Sequence, residues 1–160
     1  MLKDALLKAK RSRLMFISLI KCQEGGMIQN KIYHITAMEA DKIVQETNES
    51  ANLHLVELQG EEIQSWEDYM SKIESAFEFP TSCIDNVNRY NNWLRDLSWL
   101  GKDGYVLIIR DFKDFLNQDL ILKYKTIGRY ADTVLPWWGE NIEKYIIDGK
   151  AKPFNVYLVD

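Results

Sequence analysis

Two histidines (His34, His54) and two cysteines (Cys22, Cys83) are the side chains in this 160-residue chain best suited to chemistry near neutral pH. Their spacing gives them no shared task. No Cys/His cluster has the spacing of a zinc site. Both histidines fall in β-prone runs, where a sheet-edge or core role outweighs that of a catalytic base. Cys83 stands in a loop beside a helix start, a position that can lower a thiol pKa, but no second signal supplies a base. The carboxylates Glu61, Glu62 and Asp111 read as solvated surface. The eight glycines are scattered, and neither a phosphate-cradling loop nor a G-x-S-x-G elbow occurs. No catalytic constellation emerges, so the chain reads as a non-enzyme that needs no metal or cofactor. A small-molecule enzyme is the weaker alternative.

The stretch from Pro80 to Trp99, PTSCIDNVNRYNNWLRDLSW, is different in kind. Val87, Tyr90, Leu94 and Leu97 recur at helical spacing and predict a buried stripe. The opposite face carries Asn88, Asn91, Asn92 and Arg95, with Asp85 and Asn86 at the helix start. Asparagine is a poor helix former, and Glu or Lys would serve a plain solvated face better. Two readings stand side by side: polar surface capped by Asn86, or a hydrogen-bonding surface shaped for a partner. The pair Trp137-Trp138 is open in the same way, as an aromatic anchor for a partner or as core packing. Arg95 and Trp99 are equally open, and Leu97 reads as core.

The elements that must position this segment follow from periodicity and punctuation. Leu14–Ile20 and Ile32–Ile35, around Gly25-Gly26, predict a β-hairpin. A short helix is expected over Ala37–Val44 and a loop over Glu46–Ala51. Leu53–Leu58 reads as a strand closed by Gly60. Ser65, with Asp68 three residues on, predicts a capping box opening a helix with Trp66, Tyr69, Met70, Ile73, Ala76 and Phe77 on one face. Phe79-Pro80 stops that helix. Tyr105–Ile109 has the unbroken apolar run of a strand buried on both faces. Helical signals run from Asp119 to Leu135 and end at Pro136, a short helix spans Glu140–Ile147, and Phe154–Val159 closes the chain as a strand. This order predicts an α/β fold with a three-stranded parallel sheet, packed helices and an N-terminal hairpin extension. One domain is expected over residues 1–160, with 1–52 as the extension and 53–160 as the core.

Totals narrow the function classes. At 46% hydrophobic and 12% aromatic residues, the chain is globular rather than disordered. Its net charge of −4 argues against nucleic acid as a partner, because phosphates demand clustered Lys and Arg. No window approaches the length of apolar chain needed to span a membrane. The basic-then-apolar stretch Arg11–Ile20 lacks the cleavage site of a signal peptide. With two cysteines and no disulfide framework, a cytoplasmic location is expected.

From Leu53 to Val159 the order of elements resembles the barstar family of ribonuclease inhibitors. The Phe79-Pro80 step and the helix after it follow the family pattern P-x-Y-Y-G-x-N-x-D-A-L-x-D-C-L without a gap. Pro80 and Asn86 fall on the family's Pro and Asn, and Val87, Tyr90 and Leu94 on its apolar positions. Leu94–Leu100, Asp103–Leu107 and Pro153–Leu158 also resemble bacterial members. The departures are specific: Ser82 and Cys83 replace two aromatics, and Ile84 replaces a glycine. Asn88 and Asn92 replace the two acids with which family members can fill a basic catalytic cleft. Asp132 is the nearest candidate for a third acidic position.

The resemblance implies an immunity-type inhibitor that binds a nuclease toxin, expected to be a ribonuclease, as a monomer in a 1:1 complex. Its implied contacts are Ser82, Asp85, Asn86, Asn88, Asn91, Asn92, Arg95, Asp96 and Asp132. The alternative is a regulatory interaction module on the same fold.

Overall fold

The computed structural model describes residues 29–160. The expected first hairpin arm, its Gly-Gly turn, the helix-prone residues 1–11 and Cys22 lie outside the described residues. The sheet has four parallel strands rather than three, in the order β1-β4-β3-β2: β1 (Ile32–Ile35), β2 (Leu53–Gln59), β3 (Gly104–Arg110) and β4 (Phe154–Val159). The added strand is Ile32–Ile35, which pairs in parallel with β4 from Ile32–Val156 to Ile35–Val159. The reason is visible in β4, which is buried along its whole length and therefore needs a neighbour on each side. Two asparagines pin the entry to β1. Asn30 Oδ1 accepts from Phe154 N–H at 2.9 Å, and Asn155 Oδ1 accepts from Lys31 N–H at 2.9 Å.

One face of the sheet is covered by α1 (Ala37–Asn48), whose Ala40 and Ile43 pack with Val106, Ile108 and Tyr157. Its start is a full capping box, with Thr36 and Glu39 each accepting from the other's backbone N–H. The helix continues to Asn48 through part of the expected loop. Thr47 is buried there and donates its hydroxyl to Ile43 O at 2.6 Å, which keeps it inside the helix.

The other face carries the larger core under α2 (Trp66–Ala76), α3 (Val87–Leu94) and α4 (Leu120–Arg129). Ser65 caps α2 by accepting from Asp68 N–H, but the expected box is only half formed. The Asp68 carboxylate accepts from Gln64 N–H, one residue before the cap. Gly60 is fixed by close approach, since a Cβ there would sit 2.3 Å from Asp111 O. After β3, Lys123 is buried and donates to Phe112 O at 2.6 Å. Burial lowers its pKa, with Asp160 and Asp114 pulling the other way.

Pro136 does not end the helical path that begins with α4. The coil widens into π-turns over Tyr130–Val134 and Trp137–Asn141 before α5 (Ile142–Tyr145), and Pro136 sits between them in helical geometry. An α-helix would press the proline ring on the carbonyl four residues back, and the wider turn relieves that clash. The expected Glu140–Ile147 helix shrinks to this path, with Ile146 already extended. Among the described residues, no helix is long and apolar enough to cross a membrane.

Three tyrosines tie the helices together. Tyr69 of α2, Tyr90 of α3 and Tyr130 of the first π-turn are fully buried, and the Tyr69 hydroxyl lies 2.6 Å from each of the other two. Tyr69 has a single O–H, so at least one of the two neighbours donates to it. Burial pushes all three phenols above their ordinary pKa, so the cluster stays neutral. Tyr69→Phe removes both 2.6 Å contacts at once, leaving Tyr90 and Tyr130 only their interaction with each other, and is expected to cost about 2–3 kcal/mol in urea unfolding. Tyr90→Phe and Tyr130→Phe should each cost less. Equal effects from all three would contradict Tyr69 as the hub.

Candidate functional site

The loop before α3 is tied down at both ends. The Glu74 carboxylate of α2 accepts from Cys83 N–H and, at 3.0 Å, from the Ser82 hydroxyl. Trp66 Nε1 donates to Ile84 O at 3.2 Å, and Trp93 Nε1 to Thr81 Oγ1 at 3.3 Å. Asn86 then caps α3 by accepting from Arg89 N–H at 2.9 Å, while Arg89 Nη1 reaches back to Ser82 O at 3.0 Å. The segment is therefore set before any partner arrives.

The far end of α3 is held by indoles. A helix leaves its last carbonyls without internal partners. Trp138 Nε1 donates to Leu94 O at 2.9 Å and Trp137 Nε1 to Arg95 O at 2.8 Å. Trp99 Nε1 does the same for Phe77 O at the end of α2, at 2.9 Å. The Trp137-Trp138 pair is thus split by burial. Trp138 is core, its ring tilted against Tyr105, whereas Trp137 is half-buried at the surface.

Ser82, Asp85, Asn88, Asn92 and Asp96 are exposed, while Asn86, Asn91 and Arg95 are half-buried. Asn88 and Asn92 stand one turn apart on the open side. Asn91 departs from the outward face assigned to it, because its Oδ1 is buried and without a partner. Val87 departs in the opposite sense: expected on the inward stripe, it is exposed at the first turn. Leu97 is buried as expected, but it lies beyond α3 in the left-handed region at φ 51°, so the helix is one turn shorter than its apolar spacing implied. Asp132 is exposed on the π-turn that packs against α3, and it lines an open groove with Leu120, Ile121 and Tyr124 of α4. The structure therefore brings Asn88, Asn92, Arg95 and their neighbours onto one element, with Asp132 on the next. Sequence reasoning passed over Glu74 and Trp93, which anchor the loop; the only signal was their proximity to Pro80.

The electrostatics of this face are unlike a carboxylate pair. α3 contains Arg89 and no acid, with Asp85 before it and Asp96 after it. Asp96 Oδ1 accepts from Ser98 N–H at 3.2 Å. What the face offers is amide donors and acceptors on a fixed helix.

The candidates for catalysis are placed elsewhere. His54 Nε2 donates to Ala76 O at 2.8 Å, and its ring packs on Phe77. His34 lies exposed at the carboxyl end of β1, where open parallel sheets hold ligands. That crevice is also lined by Glu39 and Asp160. Glu39 is engaged with the Thr36 cap and Asp160 with Lys113 N–H at 2.8 Å. Two carboxylates there oppose a phosphate. Among the described residues, no group of three or more His, Cys, Asp or Glu is placed to hold a metal. Cys83 is buried, and burial first and the Glu74 carboxylate second push its thiol up to about 11.

Comparison with known proteins adds a family and a fold. The family model described as Barstar (barnase inhibitor) matches residues 53–154. No curated protein matches the chain. Among solved structures, the Aeropyrum pernix ORC2 protein in its ADPNP-ADP complexes is similar at a TM-score of 0.58 and 12% identity, covering 94% of this chain and 40% of that one. Its ADP form is similar at a TM-score of 0.51 and 15% identity, covering 92% and 40%. The chain thus spans less than half the length of those proteins, and the likeness at such identity is one of fold.

The Cys83 environment predicts an unreactive thiol. In a Cys22→Ser background, iodoacetamide at pH 8 should alkylate native Cys83 about 100-fold more slowly than an ordinary cysteine, and the rate should climb toward pH 11. Fast labelling at pH 8, measured by mass spectrometry on folded protein, would restore Cys83 as a nucleophile candidate.

Proposed function

The chain belongs to the barstar family, and on that premise we propose that it is an inhibitor of a nuclease toxin, an immunity protein that occludes the toxin's active site with α3 and the loop before it. The toxin in this reading is a ribonuclease, bound 1:1 by a cytoplasmic monomer. No bond is made or broken by this chain; inhibition is steric and electrostatic.

The observation that carries the reading is the pre-set polar face of α3, with Asn88 and Asn92 one turn apart between a capped start and an indole-held end. A face already ordered loses little conformational entropy on binding. Contacts are assigned to Ser82, Asp85, Asn86, Asn88, Asn91, Asn92, Arg95, Asp96 and Asp132. Of these, Asn88 and Asn92 are exposed, with Asn92 Oδ1 accepting from Arg95, and Asp85, Asp96 and Asp132 supply the negative charge. Ser82 and Asn86 act chiefly by holding the loop and cap, since their side chains are engaged with Glu74 and Arg89.

An amide keeps the shape of a carboxylate and gives up its Coulomb attraction. Close charge pairs across such interfaces carry about 1.5–7 kcal/mol by double-mutant cycles. This chain is therefore a poor match for a strongly basic cleft, and at Asn88 and Asn92 its own target is met by neutral hydrogen bonds. That same neutrality favours the second reading, a regulatory interaction module on the inherited fold.

Two experiments test the reading. Co-expression with a nuclease toxin encoded beside this chain's gene should restore growth and yield a complex on a sizing column. Asn88→Arg with Asn92→Arg should abolish both while leaving the thermal melt nearly unchanged. Retained rescue would move the interface elsewhere. Against barnase as a probe, Asn88→Asp with Asn92→Asp should tighten inhibition by about 100-fold or more over wild type. The gain should fade as salt is raised. No gain at low salt would mean that α3 does not present these positions to the enzyme.

A further inference from the structure

Arg95 is the first residue past α3, and its guanidinium is held on three sides. Nε donates to Asn91 O at 3.2 Å, one Nη2 hydrogen goes to Asn92 Oδ1 at 2.8 Å, and the plane lies over the Trp137 ring at 5.4 Å. Trp137 is itself fixed, by its bond to Arg95 O and by stacking on Tyr145 at 6.3 Å with 7° between the rings. The result is a layered column of Arg95, Trp137 and Tyr145. Tyr145 is 74% exposed and Ile147, just beyond it, is 94% exposed.

Two features of the column are unspent. A guanidinium has five N–H donors, and only two are committed here. The edge formed by Nη1 and the second Nη2 hydrogen remains, with the fork geometry that matches a carboxylate. Among the described residues, moreover, the charge of Arg95 has no carboxylate partner. Arg89 and Arg129 are held less completely: exposed Arg89 by a single side-chain bond to Ser82 O, and half-buried Arg129 by its place over Trp66. Holding an arginine flat before binding removes part of the rotamer entropy that usually weakens a surface ion pair.

We propose that Arg95 is the receptor for a carboxylate on the protein that docks against α3, with Trp137 and Tyr145 forming the apolar flank of that subsite. This rests on the reading of α3 as the partner-binding face and names the chemistry of one contact. It reverses the polarity of the acid-to-base contact implied by the family resemblance: this chain brings the cation and the partner brings the acid. A single carboxylate suits the site better than a phosphate chain, because Asp96 adjoins Arg95, and Glu143 and Asp148 flank Tyr145 and Ile147 in the chain. The exposed Tyr145 and Ile147 suit an acidic side chain set in apolar protein surface.

The test uses the full-length ¹⁵N-labelled protein and N-acetyl-aspartate-N-methylamide, whose one free carboxylate is that of the side chain, at constant ionic strength. The Arg95 Nε–H and Trp137 Nε1–H signals are expected to shift together and saturate, with apparent affinity about tenfold tighter than at Arg89 or Arg129. N-acetyl-asparagine-N-methylamide, neutral and of the same shape, should leave them in place. Arg95→Lys keeps the charge and loses the fork, so the Trp137 signal should no longer saturate. Equal response at all three arginines, or equal response to the neutral amide, overturns the proposal. Toxin inhibition measured in parallel separates the two ideas. Inhibition without a selective Arg95 response removes this subsite alone, and a selective response without inhibition removes the inhibitor reading instead.

Discussion

The hydroxyl cluster of Tyr69, Tyr90 and Tyr130 is the constraint on which the arrangement depends. Three helical segments meet there with no charge among them, and each contributes one buried oxygen. A buried hydroxyl without a partner carries a desolvation cost of about 1–3 kcal/mol. Each segment therefore has a strong reason to hold its register against the other two. Because the phenols are pushed upward by burial, this linkage does not weaken across the ordinary pH range. The register it holds decides which side of α3 faces solvent, and hence that Asn88 and Asn92 stand open.

Around that hub, the tryptophans do the work of termination. Trp99, Trp137 and Trp138 donate to carbonyls at the ends of α2 and α3, where glycine or a polar cap is the usual solution. Indole capping adds apolar area at the same spot where it satisfies a carbonyl, which suits a helix end half sunk in the core. It also places Trp137 beneath Arg95, so helix termination and the shape of the proposed subsite come from one residue. The widened coil through Pro136 is what delivers both tryptophans to α3: an α-helical path broken at the proline would send them elsewhere.

Much of this was legible in the residues. Ser65 and Asn86 announced their helices because a cap is a local device, and Tyr105–Ile109 announced a buried strand because both faces are apolar. The face proposed for binding could be picked out as a run of asparagines where helix propensity offers no reason for them. What escaped was non-local. Ile32–Ile35 reads equally well as a hairpin arm or a parallel edge strand, and only the need of β4 for a second neighbour decides. Pro136 is a stop signal unless the turn widens. Val87 fits an apolar stripe by spacing, yet the first turn of α3 projects beyond the core. Asn91 looks like its neighbours in sequence, but its Oδ1 is buried.

The account stands on one claim, that the polar face of α3 is what the partner touches. Cross-saturation NMR on the complex with the proposed nuclease toxin addresses it without altering either protein. Irradiating the toxin's protons should attenuate amide signals of this chain over residues 82–96 and at Asp132, and leave α1 at full intensity. Attenuation centred on α1 or on the outer edge of β2, with residues 82–96 untouched, would contradict the account.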